Sequence, residues 1–324
     1  MKLEGQHGQR LLGYAGSLLA GLCAGLIWPL NKQLGHDLSS AQVTWVEALV
    51  AMLVLAPVYL CRFRAQAWPK RTPVFWLLLF GLTAAMLFYL RTLGTILTNP
   101  TTGSLVARTE VLLVFLFGYF VLKESLRPLS WLGAAALLAG MIFALDLPHE
   151  GLAFSLGGLA ALLGCALGIA SNAIIIRLKL NQVRNELTAL ANVSCQFAVL
   201  TLVLALSGGL GALPGALAQP HTLSLALLGG LLVPGMLTPY YYAMKRIPLW
   251  ATRLFGLSTP AVAMLTDHFW LKSHVTAGQL AGLALVTGGA ALVILAGLPE
   301  KSPEGTHGLI PPRRDRGPHP APPG

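Results

Sequence analysis

The chain has 324 residues, of which 55% are hydrophobic and only 10% charged, against the roughly 25% charge of soluble domains. With a mean hydropathy of +0.68, that balance excludes a soluble globular enzyme and points to a polytopic membrane protein. The formal net charge of +10 does not indicate nucleic acid as a partner, because the basic residues punctuate apolar runs instead of clustering with aromatics on one solvated face.

Ten runs of membrane-spanning length can be drawn, at about 11–31, 43–61, 74–93, 103–122, 129–147, 155–176, 187–207, 223–244, 252–271 and 276–296. Each fits a hydrocarbon core of about 30 Å crossed at about 1.5 Å per residue. The first run is long enough to span and no A-x-A-like site follows it, so a cleaved signal peptide is not expected. With the N-terminus (residues 1–10) in the cytoplasm, only Lys32 and Lys272 of the 22 Lys and Arg fall outside. Arg91, Arg108 and Arg253 fall within spans, and the remainder face the cytoplasm. This positive-inside bias predicts both orientation and an even span number. The expected place is the plasma (inner) membrane, both termini cytoplasmic. Residues 299–324, rich in proline, glycine and charge, read as a disordered cytoplasmic tail.

A gapless shift of 149 residues aligns Leu78 with Leu227, Gly81 with Gly230, Phe120 with Phe269, Lys123 with Lys272, Gly133 with Gly282 and Gly140 with Gly289. The chain therefore reads as an all-α protein of two five-helix repeats, 11–147 and 155–296. Because five is odd, the second copy must be inverted relative to the first, the plan of many secondary transporters with a midplane site between the copies.

The stretch GSLVARTEVLLVFLFGYFVL from Gly103 to Leu122 carries Arg108 and Glu110 inside a span, where ionisable residues normally face a bundle interior. Glu47 on the second span, Arg108 and Glu110 lie roughly 6–10 Å from the outer edge by residue count, and Arg91 on the third roughly 3 Å. Two carboxylates and two guanidinium groups balance, as a dry interior requires. Being two apart, Arg108 and Glu110 would diverge by about 200° on a helix, so each is expected to pair with other spans. Glu47, Arg108 and Glu110 are expected to form one site. The alternative is that the four charges only tie spans together, with Arg91 snorkelling to the surface.

Asn172, Asn192 and Gln196 are softer candidates, either for substrate hydrogen bonds or as interhelical glue. Tyr240, Tyr241 and Tyr242, near Pro234 and Pro239, read as an aromatic wall or an interfacial belt. Asp267 and His268 read as a proton relay or a solvated pair. Small-xxx-small spacings (Gly21 with Gly25, Gly164 with Gly168, Gly278 with Gly282) predict helix-packing faces. Cys23, Cys61, Cys165 and Cys195 show no ligand spacing, so no metal and no cofactor are expected.

Leu122, Lys123 and Glu124 before a turn, then Trp131, Leu132, Gly133, Ala139, Gly140 and Met141, resemble the EamA-type repeat of the drug/metabolite transporter superfamily. Pro260 in the second copy stands where that pattern has its mid-helix proline. Ser273 replaces the second glutamate and Val111 the first proline. The resemblance implies a transport role without naming a substrate; Glu124 itself reads as a turn or capping residue.

The expected function is a secondary active exporter of a small metabolite, an amino acid or other zwitterion being the favoured cargo, with a proton as candidate coupling ion and a homodimer left open. A channel-like or structural membrane protein is the alternative. An integral-membrane enzyme would need a nucleophile with its base, an HExxH set or paired aspartates, and the sequence offers none of these at usable spacing.

Overall fold

The computed structural model describes residues 2–63, 74–122, 128–144, 156–180, 183–244, 246–247, 252 and 255–296, and among them all regular structure is helical. The helices are α1 (Lys2–Leu34), α2 (Ser40–Phe63), α3 (Val74–Leu97), α4 (Pro100–Ala107), α5 (Thr109–Leu122), α6 (Pro128–Ala144), α7 (Leu156–Lys179), α8 (Asn185–Leu206), α9 (Leu213–Leu217), α10 (Pro220–Met244), α11 (Ser258–Trp270) and α12 (Ala277–Ala296).

Six of these, α1, α2, α3, α7, α8 and α10, are long and apolar enough to cross a bilayer within the described residues. Trp131–Phe143 of α6 and Ala277–Val293 of α12 are apolar but shorter. The lysine–glutamate turn at Lys123 and Glu124, Arg253 and the tail from residue 299 lie outside the described residues. Leu78, Leu82 and Met86 on α3 and Leu202 and Leu206 on α8 are exposed. Rows of exposed leucine along buried helices are what a lipid-facing surface requires, since lipid, unlike water, does not penalise them.

The expected run 103–122 is not one helix. Asn99 caps α4, its side chain accepting from the Thr102 N–H at 2.7 Å, and Pro100 occupies the first turn, where a missing N–H costs nothing. The helix ends at Arg108, whose N–H donates to the Leu105 carbonyl at 3.0 Å. Val111 N–H in turn donates to the Arg108 carbonyl at 3.0 Å. Two successive three-residue turns replace the α ladder there. The Thr109 hydroxyl donates to the Val106 carbonyl at 2.9 Å, a back-bond that favours bending.

Glycines decide how closely the helices approach. A Cβ on Gly133 would stand 2.8 Å from the Gly289 carbonyl oxygen, and one on Gly289 2.6 Å from that of Gly133, so α6 and α12 meet backbone to backbone. Gly21 and Gly25 admit Ser258 and Val262 of α11 against α1, and Gly164 and Gly168 admit Leu90 and Leu87 of α3 against α7. Gly81 lets α3 close on Cys195 of α8, and Gly230 lets α10 close on Val50 of α2. The main helix neighbours are α1 with α10 and α11, α2 with α8 and α10, α3 with α7 and α8, α4 with α11, α5 with α7, and α6 with α12.

Candidate functional site

Eight of these helices line a central cavity of about 180 Å³. Its wall includes Arg91 from α3, Arg108 and Glu110 at the α4–α5 break, Asn172 from α7, Asn192 from α8 and Tyr240 from α10. Of the candidate residues singled out in the sequence, Glu47, Gln196, Tyr242, Asp267 and His268 are not on that wall. Glu47 stands behind Arg91, and Gln196 donates through its side-chain amide to the carboxamide oxygen of Asn192.

The four buried charges form two pairs. Arg91 Nη2 donates to Glu47 Oε2 at 2.9 Å across α3 and α2, with the Glu47 side chain 1% exposed. The Arg91 guanidinium also lies 4.6 Å over the Phe88 ring, so it is held by charge and by an aromatic face. Asn31 of α1 completes this end. With its amide turned so that donors meet acceptors, it donates to Glu47 Oε1 at 2.6 Å while its oxygen accepts from the Thr92 hydroxyl at 3.0 Å. Glu47 Oε1 also stands against the α10 backbone, 3.3 Å from where a Gly229 Cβ would lie. One carboxylate thus joins α1, α2, α3 and α10, and Arg91 stays buried instead of snorkelling.

The second pair corrects the expectation from spacing. Arg108 Nη1 donates to Glu110 Oε1 at 3.2 Å, so the two residues pair with one another. The 200° divergence assumed an unbroken helix, and the break at Arg108 removes it. Nor do Glu47, Arg108 and Glu110 make one hydrogen-bonded cluster among the described residues: Glu47 belongs with Arg91, and the two pairs border the cavity that Arg91, Arg108 and Glu110 line.

The amides lie elsewhere on the same wall. Thr83 of α3 donates to the Asn172 oxygen, and the Asn192 amide donates to the Tyr241 hydroxyl at 3.1 Å. The rings of Tyr240 and Tyr241 are 5.5 Å apart, and Tyr241 meets Phe80 edge-on at 6.4 Å. Both tyrosines line the cavity, whereas Tyr242 lies under Arg246 at 3.5 Å. Asp267 is not a solvated partner of His268. It is 3% exposed and accepts from the Thr101 hydroxyl at 2.7 Å and its N–H at 3.3 Å, placing a carboxylate on the positive end of α4.

Trp28, Phe88 and Cys165 on the wall, and Asn31 and Thr92 behind it, were not singled out in the sequence. Asn31 carried a usable signal, since it is an amide at the end of an apolar run, as Asn172 is within one. Trp28 gave none, because an aromatic at helical spacing is ordinary core.

Fold and site together define a multi-pass helical membrane protein with a charged cavity at its centre. Residues 11–145 match the model of the EamA-like transporter family, which lies within the drug/metabolite transporter superfamily. The match covers the segment from α1 through α6. A crystal structure described only as that of a protein superposes with a TM-score of 0.59 over 90% of this chain and 98% of its own, at 20% identity, and shares the fold. An uncharacterised protein of Haemophilus influenzae (strain ATCC 51907 / DSM 11121 / KW20 / Rd) is 29% identical over 112 residues, covering 33% of this chain and 86% of its own length.

Proposed function

We propose that this protein is a secondary active transporter, working as an exporter of a small zwitterionic metabolite such as an amino acid, by alternating access between two inverted five-helix repeats. One observation carries the reading: the Arg91 and Arg108 guanidinium groups, each beside a carboxylate, border a cavity built from helices of both halves. A guanidinium receives a substrate carboxylate in planar, two-point fashion, and a neighbouring Glu receives its amine. A lipid-filled or purely structural interior gains nothing from holding such groups around empty space.

The repeat is supported by how packing behaves when the halves are exchanged. Replacing α1, α2, α3, α4–α5 and α6 by α7, α8, α10, α11 and α12 turns each main neighbour into another observed one: α1 with α10 becomes α7 with α3, and α3 with α8 becomes α10 with α2. Gly81 and Gly230, matched by the 149-residue shift, sit at exchanged contacts. In the proposed frame of ten crossings, α4 with α5, α6, α11 and α12 supply the four crossings beyond the six long helices, and both termini lie in the cytoplasm of the plasma membrane.

In that frame the cavity runs from Arg91 and Arg108 toward the cytoplasmic ends, where Ser17, Ile176 and Thr252 line it. The outer end is closed by ties between the halves, Thr222 to Asp37 at 2.5 Å and Thr101 to Asp267. This is an inward-facing arrangement, open to its cargo from the cytoplasm, and a proton is the proposed coupling ion.

The test is uptake of radiolabelled amino acids into proteoliposomes under an imposed proton gradient. Accumulation above the external concentration, reversed in direction when the gradient is reversed, is expected. Simple equilibration, indifferent to the gradient, would establish the channel-like alternative instead.

A further inference from the structure

The cavity has a second polar end that the charged pairs leave unexplained. Asn172 and Tyr241 are 6% and 4% exposed, and each keeps a donor that its own contacts do not use. The Asn172 oxygen accepts from Thr83, and its NH₂ has no partner among the described residues. The Tyr241 oxygen accepts from Asn192, and its own O–H proton has no acceptor there. Interhelical glue would consume these donors, as it consumes that of Asn192. Both residues line the cavity, so the space between the helices is the remaining direction for them.

The two ends are separated. Asn172 is held by Thr83, eight residues before Arg91 on α3 and so about 12 Å lower along the helix axis. Tyr241 sits beside Phe80, lower still. Between the ends the wall is apolar: Leu87, Phe88, Ile169 and Met236. A small zwitterion such as alanine would satisfy one end and leave buried donors at the other without acceptors, which carries a desolvation cost.

We propose that the cavity is a two-ended site for an elongated amino acid: the guanidinium–carboxylate pairs hold its zwitterionic head, its apolar chain crosses the middle, and the Asn172 and Tyr241 donors hold a hydrogen-bond acceptor at its tail. This rests on the reading of the cavity as the transport site and adds the substrate class.

Three probes separate the ends. L-norleucine has the head and a butyl chain; Nε-acetyl-L-lysine has the same head and chain plus an amide carbonyl; N-butylacetamide has chain and carbonyl without the head. Binding to the purified full chain is measured by titration calorimetry. Nε-acetyl-L-lysine should bind about tenfold tighter than L-norleucine, the worth of one well-made hydrogen bond. Tyr241→Phe, which keeps the ring, and Asn172→Leu should each remove that advantage and leave L-norleucine unchanged; Tyr241→Phe decides if Asn172→Leu does not fold. Arg108→Gln should weaken both amino acids. Equal binding of the two, both lost in Arg108→Gln, overturns the tail site and leaves the charged end standing. N-butylacetamide binding as tightly as Nε-acetyl-L-lysine, indifferent to Arg108→Gln, overturns the charged end itself. No binding of any probe at millimolar concentration overturns the two-ended site.

Discussion

The two buried ion pairs have the same chemistry and opposite settings. Glu47 and Arg91 meet at 2.9 Å between continuous helices, with Asn31 and the α10 backbone closing around the carboxylate. Arg108 and Glu110 meet at 3.2 Å across the break between α4 and α5, with the Arg108 side chain 14% exposed toward the cavity. A pair joining four helices resists rearrangement, because moving any one of them strands a charge away from water. A pair formed within one segment moves with that segment and can exchange partners with a ligand. We therefore propose that Glu47 is a positioning residue behind Arg91, and that Arg108 and Glu110, beside Arg91 on the wall, exchange partners with the substrate.

The largest effect should come from the pair at the break. Arg108→Gln and Glu110→Gln are expected to lower initial transport rates by about a hundredfold, as loss of a charged hydrogen bond implies, with normal membrane insertion. Arg108→Lys should not rescue, since a point charge does not reproduce the planar fork. Parental rates in all three would erase the distinction between the pairs.

Arg91→Met should act on stability first. It leaves the Glu47 carboxylate buried without its guanidinium, at a cost of about 3 kcal/mol, read as a lowered thermal unfolding midpoint in detergent. Adding Glu47→Gln should recover most of it, while Glu110→Gln should not. Recovery by Glu110→Gln would show that the pairs are one network.

Smaller effects probe the frame around both. Gly133→Val forces a branched side chain into the backbone contact with Gly289 and should cost about 2 kcal/mol, whereas valine at Gly215, where a Cβ meets nothing within 4 Å, should be tolerated. Asp267→Asn keeps the hydrogen bond from Thr101 but removes charge from the α4 N-terminus, an effect of about 1 kcal/mol.

The class, six of the ten expected spans and the buried charges were legible in the sequence, because hydropathy and the cost of an intramembrane charge are local properties. Gly21, Gly25, Gly164 and Gly168 were legible as packing residues from their small-xxx-small spacing, whereas the backbone contact of Gly133 with Gly289 was not. What escaped was partner choice. The pairing of Arg108 with Glu110 depends on a helix break that no proline or glycine at 108 announces, and Val111 stands where the family pattern would have placed a proline. Asp267 looked solvated because its neighbours in sequence are His268 and Phe269; the partner that buries it, Thr101, is on a helix 166 positions away.

The most direct measurement of whether Arg108 faces the cavity while Glu47 stands behind Arg91 is thiol reactivity, with single cysteines placed by Glu47→Cys and Arg108→Cys in a chain whose Cys23, Cys61, Cys165 and Cys195 are replaced by serine or alanine. A small charged methanethiosulfonate reagent reaches only thiols open to water. The account predicts that the Arg108→Cys protein reacts at least about tenfold faster than the Glu47→Cys protein, whose thiol is shut behind Arg91. Equal rates, or faster reaction at position 47, would contradict it.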